Sequence, residues 1–101
     1  MWMMVMFDLP VITPEERKIA TEFRNLLLDQ GFEMSQFSVY VRFVGEREKC
    51  GKYVNTIREG CPDSGNVSIL FFTDRQFEEI ISICNRKKVL KHKKPDQLTL
   101  F

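Results

Sequence analysis

Met1-Trp2-Met3-Met4-Val5-Met6-Phe7-Asp8-Leu9-Pro10-Val11-Ile12-Thr13-Pro14-Glu15-Glu16 is the stretch on which the fold turns. Residues 1–7 are apolar at odd and even positions alike. Side chains alternate between the two faces of a strand, so this pattern predicts a central strand covered on each side, not a half-exposed edge. Pro10 cannot donate to a ladder and biases Leu9 toward extended geometry, which makes residues 9–12 a connection. Thr13 then offers a capping oxygen, Pro14 suits a first helical turn, and Glu16 stands where a capping box places its acid.

The helix so started carries Ile19, Phe23, Leu26, Leu27 and Gln30 on one stripe, with Ala20 beside it. Arg17, Lys18, Glu22, Arg24 and Asn25 fill the remainder. Gly31 sits where a left-handed residue ends such a helix. From 32 to 44 the alternation changes phase: Phe32 and Met34 are apolar at even positions, Phe37, Val39, Val41 and Phe43 at odd ones. A shift of one residue swaps strand faces, so either a tight hairpin or a bulged long strand lies near Ser35-Gln36, and the reading favours two short strands.

Cys50, Tyr53, Val54 and Ile57 predict a second amphipathic helix over 46–59, ended by Gly60 and Pro62. Residues 61–66 are turn chemistry, and 67–73 form another apolar strand. Thr73-Asp74-Arg75-Gln76 begins a helical turn. The crowded β-branched residues Ile80, Ile81 and Ile83 then favour a further strand. This order gives an α+β, ferredoxin-like βαββαβ domain over 1–85 with an extra C-terminal strand. Residues 86–101 follow as a basic linker and a C-terminal docking strand. Helices on one side leave the other sheet face bare, and a second copy packed face to face is the economical cover, so a homodimer is expected.

The chain has 101 residues, 44% of them hydrophobic and 29% charged, with 5 Gly and 4 Pro; this describes one packed domain and excludes disordered and fibrous classes. The apolar opening is short, lacks a basic start and runs into Asp8, which argues against a signal peptide or spanning helix, so a cytoplasmic chain without a membrane partner is expected. Cys50, Cys61 and Cys84 are odd in number and form no C-x-x-C pair, which argues against a disulfide framework and against structural zinc. Net charge is +1, but residues 1–85 hold 9 Lys and Arg against 13 Asp and Glu, whereas 86–101 hold 6 against 1. The basic tail suits a polyanion or an acidic partner, or is a solvated linker.

Asp8 is the one candidate for chemistry, a lone carboxylate where a buried strand leaves the sheet; the competing reading is a turn or capping aspartate. No P-loop, G-x-G-x-x-G or H-E-x-x-H is present, and the single His92 lies in a lysine-rich run, so covalent and nucleotide-binding readings lack support. Magnesium keeps several waters and takes one or two carboxylates. Two Asp8 side chains meeting across a twofold axis could therefore share one Mg²⁺ that activates water or holds a phosphodiester oxygen. Arg17, Lys18 and Arg24 are candidate phosphate contacts, against a solvated helix face paired with Glu15, Glu16 and Glu22. Lys87, Lys88 and Lys91 are candidates in the tail. Phe32, Phe37, Tyr40 and Phe43 could stack on bases, but their alternation favours core packing for all four.

Together, Phe7-Asp8-Leu9-Pro10, the Thr13 to Arg17 helix start, Phe23-Arg24 with Leu27-Leu28, Gly31-Phe32, Gln36-Phe37-Ser38-Val39-Tyr40, Gly65-Asn66-Val67 and Thr73-Asp74-Arg75-Gln76-Phe77 resemble the small CRISPR-associated "Cas two" family. The likeness is nearest to the form in systems with a single large RNA-guided effector. It implies a ferredoxin-like homodimer that bridges two dimers of the "Cas one" integrase, so that foreign DNA is captured and inserted as a spacer. It also implies a metal-dependent endonuclease acting on single-stranded RNA or duplex DNA, with Asp8 as the magnesium ligand. A stand-alone regulatory dimer without nuclease activity is the alternative. The terminal Gln97-Leu98-Thr99-Leu100-Phe101 reads as a docking peptide through Gln97, Leu98, Leu100 and Phe101, either for the integrase or within the dimer. It is similar, too, to the pentapeptide with which bacterial proteins bind the replication sliding clamp.

Overall fold

A computed structural model describes residues 1–84 and 88–91, with side chains to residue 83. Its elements are β1 (Trp2–Asp8), α1 (Pro14–Asp29), β2 (Glu33–Gln36), β3 (Val39–Phe43), α2 (Cys50–Gly60, entered through a 3-10 turn at Arg47–Lys49), β4 (Asn66–Phe72), α3 (Asp74–Glu78), β5 (Ile81–Cys84) and β6 (Lys88–Lys91). Strands β2-β3-β1-β4 form a four-stranded sheet in that spatial order, and β1 pairs antiparallel with both β3 and β4. This is the expected ferredoxin-like arrangement, with the apolar opening strand at its centre.

The local reasons are those legible in the chain. The Thr13 hydroxyl accepts from the Glu16 N–H at 3.1 Å while the Glu16 carboxylate accepts from the Thr13 N–H at 2.9 Å, closing the capping box at the head of α1. At its foot Gly31 takes φ +84°, the Gly31 N–H donates to Leu28 O and the Phe32 N–H to Leu27 O, each at 3.0 Å. The phase change over 32–44 has two causes acting together. The chain reverses at 37–38, and β2 is bulged between Met34 and Gln36. Thr73 caps α3 by a second box with Gln76, and the predicted helical turn followed by a strand is what forms.

Met3 and Val5 of β1 pack with Phe23 and Leu27 of α1 and with Cys50, Tyr53 and Ile57 of α2, building the main core on the helical side. The other face differs from the expectation of a wholly bare surface. Phe77 of α3 stacks on Trp2 with ring centroids 3.8 Å apart and planes 5° from parallel, and Val41, Met4, Phe43 and Phe72 join them. Cover stops there: Met6, two pleats further along the same face, is 43% exposed.

Three readings need correction. Ile19 belongs to the apolar stripe by spacing but is 46% exposed, because the contacts of α1 with the sheet run through Phe23 and Leu27. The linker expected from residue 86 onward includes a strand: β6 pairs antiparallel with β5 as a separate two-stranded sheet, Ile83 opposite Val89 and Ile81 opposite Lys91. Core packing for all four aromatics fails at Phe37, which the turn lifts out to 89% exposure, while Phe32 and Tyr40 are buried. No helix among the described residues is long and apolar enough to cross a membrane, and Cys50 and Cys61 are free thiols.

Candidate functional site

Asp8 is the last residue of β1, paired with Asn66, the first of β4. Two neighbouring backbones fix its place. Gly65 adopts φ +92° and lies so close that a Cβ there would stand 2.6 Å from the Asp8 carbonyl oxygen and 2.8 Å from Leu9 Cδ2. From the other side, the Phe7 N–H donates to the Ser38 carbonyl at 3.1 Å, tying the β2–β3 turn to β1 one residue before the carboxylate. Ser38 holds φ +63°, a left-handed conformation that an L-residue keeps only where surroundings over-determine it.

The Asp8 side chain is exposed, and among the described residues no ion pair engages its carboxylate. By alternation it shares the face of Trp2, Met4 and Met6, at the end that α3 leaves uncovered. Among the described residues no group of three His, Cys, Asp or Glu side chains gathers. The single Asp8 carboxylate is the donor set of a heavily hydrated ion, and the described residues do not supply the further ligands of an enclosed metal.

Asp8 also borders a groove of about 590 Å³ between α1 and the β2–β3 turn, with Arg17, Ala20, Thr21 and Arg24 on one wall and Met34, Phe37 and Ser38 on the other. Positions 17, 20, 21 and 24 form one helical stripe, so α1 turns two arginines toward this groove. Its opposite flank turns Glu16, Ile19 and Glu22 toward a second groove beside Cys61 and Pro62. Four of the charges in the solvated-face reading are thus divided by sign, Arg17 and Arg24 on one flank and Glu16 and Glu22 on the other, while Glu15 and Lys18 are exposed outside both grooves. Arg17 Nη1 donates to Val11 O at 3.2 Å and to Ile12 O at 2.8 Å, which ties the β1–α1 connection while leaving the guanidinium at the groove. Tyr40 lies at the groove floor: burial raises its phenol above the ordinary value, and the Arg24 charge opposes part of that rise.

Of the phosphate candidates, Arg17 and Arg24 are thus brought together beside Asp8, and Lys18 is exposed outside the groove. Lys88 and Lys91 begin and end β6. Lys87 and the docking candidates Gln97, Leu98, Leu100 and Phe101 lie outside the described residues. Met34 and Ser38, which also line this groove, were not singled out in the sequence, and Phe37 was weighed there as a stacking surface but assigned to the core. The signal for them was present, because a turn at the phase change ejects the apolar residue it carries.

Residues 1–80 match the family model described as CRISPR associated protein Cas2. The CRISPR-associated endoribonuclease Cas2 of Paracidovorax avenae is 52% identical over 101 residues, 100% of this chain and 94% of the relative. The protein of the same name from Flavobacterium psychrophilum is 44% identical over 100% of this chain and 88% of its own length. That of Parvibaculum lavamentivorans is 40% identical with both chains covered completely.

Proposed function

The chain belongs to the CRISPR-associated Cas2 family, and we propose that it works as a homodimeric subunit of spacer acquisition that binds foreign DNA, bridges integrase dimers and carries a magnesium-dependent endonuclease centre at Asp8. The observation that carries this reading is the unspent carboxylate at the uncovered end of the central strand. A second copy laid over Met6 would bury apolar surface and bring a second Asp8 to the same edge.

Mg²⁺ between the two carboxylates would supply a polarised water and a charge for the phosphodiester oxygen. The chain's own part is positional. Gly65 and Ser38 hold the strand end, while Arg17 and Arg24 meet phosphates and set the register of the polymer without reading its sequence. Binding through such contacts weakens as salt rises, since neutralised phosphates release counterions. The relatives' name, endoribonuclease, supports phosphodiester hydrolysis of RNA as one activity of this centre. The terminal segment 97–101 is the proposed docking point for the integrase.

Asp8→Asn keeps the shape and removes the charge. It is expected to abolish magnesium-dependent cleavage of single-stranded RNA and duplex DNA, while sedimentation still reports a dimer and spacer integration persists. Undiminished cleavage by Asp8→Asn would overturn the catalytic assignment. A chain that sediments as a monomer would overturn the shared-ion centre.

A further inference from the structure

We propose that the groove between α1 and the β2–β3 turn holds one unpaired nucleotide, with Phe37 as the surface on which its base stacks and Arg17 and Arg24 as its phosphate contacts. This rests on the nucleic-acid-binding reading above and specifies the form of polymer that the site accepts.

Phe37 is 89% exposed, a phenyl ring in water with almost none of its hydrophobic gain realised. The ring is not on a loose loop. It precedes Ser38, whose left-handed backbone is clamped to β1 through the Phe7 N–H. A ring held out by a strained turn, beside half-exposed Met34, gives an apolar wall opposite two arginines. One aromatic wall and one cationic wall suit a ligand with a flat π-face at one end and an anion at the other. A nucleotide has both, whereas an apolar peptide leaves the arginines unused and an inorganic anion leaves the ring bare.

Size and charge agree. The groove's volume of about 590 Å³ falls in the range of roughly 300–1,000 Å³ usual for small-ligand sites, enough for one base with its sugar and phosphate. α1 sets both arginines on this flank and Glu16 and Glu22 on the other, so an anion entering here meets two guanidinium groups against the one carboxylate of Asp8, while the neighbouring groove repels it. A base inside a duplex has no free face to offer. The site therefore selects nucleotides out of the stack, in single-stranded RNA or DNA or at a frayed end, in a groove that Asp8 borders at the end of β1.

The experiment uses the full chain and fluorescein-labelled oligonucleotides of one sequence: single-stranded RNA, single-stranded DNA and blunt duplex DNA. Affinities come from fluorescence anisotropy without magnesium, with sedimentation run in parallel. Removing one base–aromatic stack weakens binding by about 5- to 150-fold, so Phe37→Ala should lose that much affinity for the single strands and little for the duplex. Phe37→Trp should bind as the parent does, and its indole emission should be quenched by the single strand. The ratio of RNA to DNA affinity identifies which single strand the site prefers.

Equal single-strand affinity for Phe37→Ala and parent would overturn the proposal. So would an equal loss on single strands and duplex. So would a change in sedimentation, which would make the ring a contact between two copies. If the parent binds no nucleic acid at all, the proposed function falls with it; if the parent binds and only the Phe37 effect is missing, the proposed function stands.

Discussion

Gly65→Ala and Gly51→Ala are the same chemical change, yet the structure gives them opposite signs. At Gly65 the new methyl meets φ +92°, a conformation costing an L-residue about 1–2 kcal/mol. It also meets two atoms that cannot yield cheaply, the Asp8 carbonyl oxygen at 2.6 Å and Leu9 Cα at 3.1 Å. Forcing a backbone shift of that kind costs about 1–3 kcal/mol, and the stiffer unfolded chain returns about 0.4–1 kcal/mol. The net is a loss of about 3 kcal/mol, or roughly 10–20 °C in thermal midpoint for a domain of this size. At Gly51, in α2 with nothing within 4 Å of a built Cβ, alanine should stabilise by about 0.5 kcal/mol. Urea unfolding of the parent and both variants at one fixed protein concentration reads the two signs directly, and magnesium-dependent cleavage well below the midpoint reads the site. Gly65→Ala should cleave slowly while folded, because the strand end bearing Asp8 has moved. A Gly65→Ala stability within about 0.5 kcal/mol of the parent, or a loss at Gly51 as large as at Gly65, would refute the close approach of Gly65 to the Asp8-Leu9 backbone.

Thr13→Ala removes the hydroxyl that accepts from Glu16 at 3.1 Å and should lower stability by about 1 kcal/mol in urea unfolding, with Thr13→Ser close to the parent. The Tyr40 phenol titrates above its ordinary 10.0 because burial disfavours the phenolate. Its contribution is therefore intact below pH 10.0 and is lost as pH climbs through the raised folded value. Urea midpoints of the parent should fall over that alkaline window and those of Tyr40→Phe should fall less; parallel pH profiles would refute the burial of the hydroxyl.

How far the sequence spoke for the fold depends on how local each signal was. Caps, the glycine stop and the apolar periods are interactions within a few residues, so Thr13, Gly31 and the strand at 2–8 could be placed without knowledge of the rest. The place of Asp8 at the strand end was legible because the unbroken apolar run stops at it. Long-range geometry was not legible. Periodicity puts Ile19 on the same stripe as Phe23, but exposure is decided by where α2 and the sheet happen to meet α1. Phe37 shows the converse. Its parity matches Val39 and Val41, and only the turn conformation at Ser38 distinguishes a core position from a projecting one. β6 was hidden by its composition, since a strand flanked by lysines reads as a solvated linker until a pairing partner such as β5 is known.

The uncovered half of the sheet bears on why this fold leaves its carboxylate where it does. α3 reaches back over Trp2 and stops, so β1 is sealed at one end and bare at the other. A single exposed methionine could be replaced by a polar residue at little cost to the isolated domain, and alternation permits it, since Met6 faces away from the helices. Keeping methionine at 6 and aspartate at 8 on the same face sets an apolar contact two residues from a charge. That pairing suits a twofold interface in which the contact supplies association and the axis supplies the second carboxylate. Under the proposed function it predicts a hierarchy of effects: substitutions at Met6 should change how much dimer forms, whereas substitutions at Asp8 should change phosphodiester cleavage and leave the sedimentation unchanged.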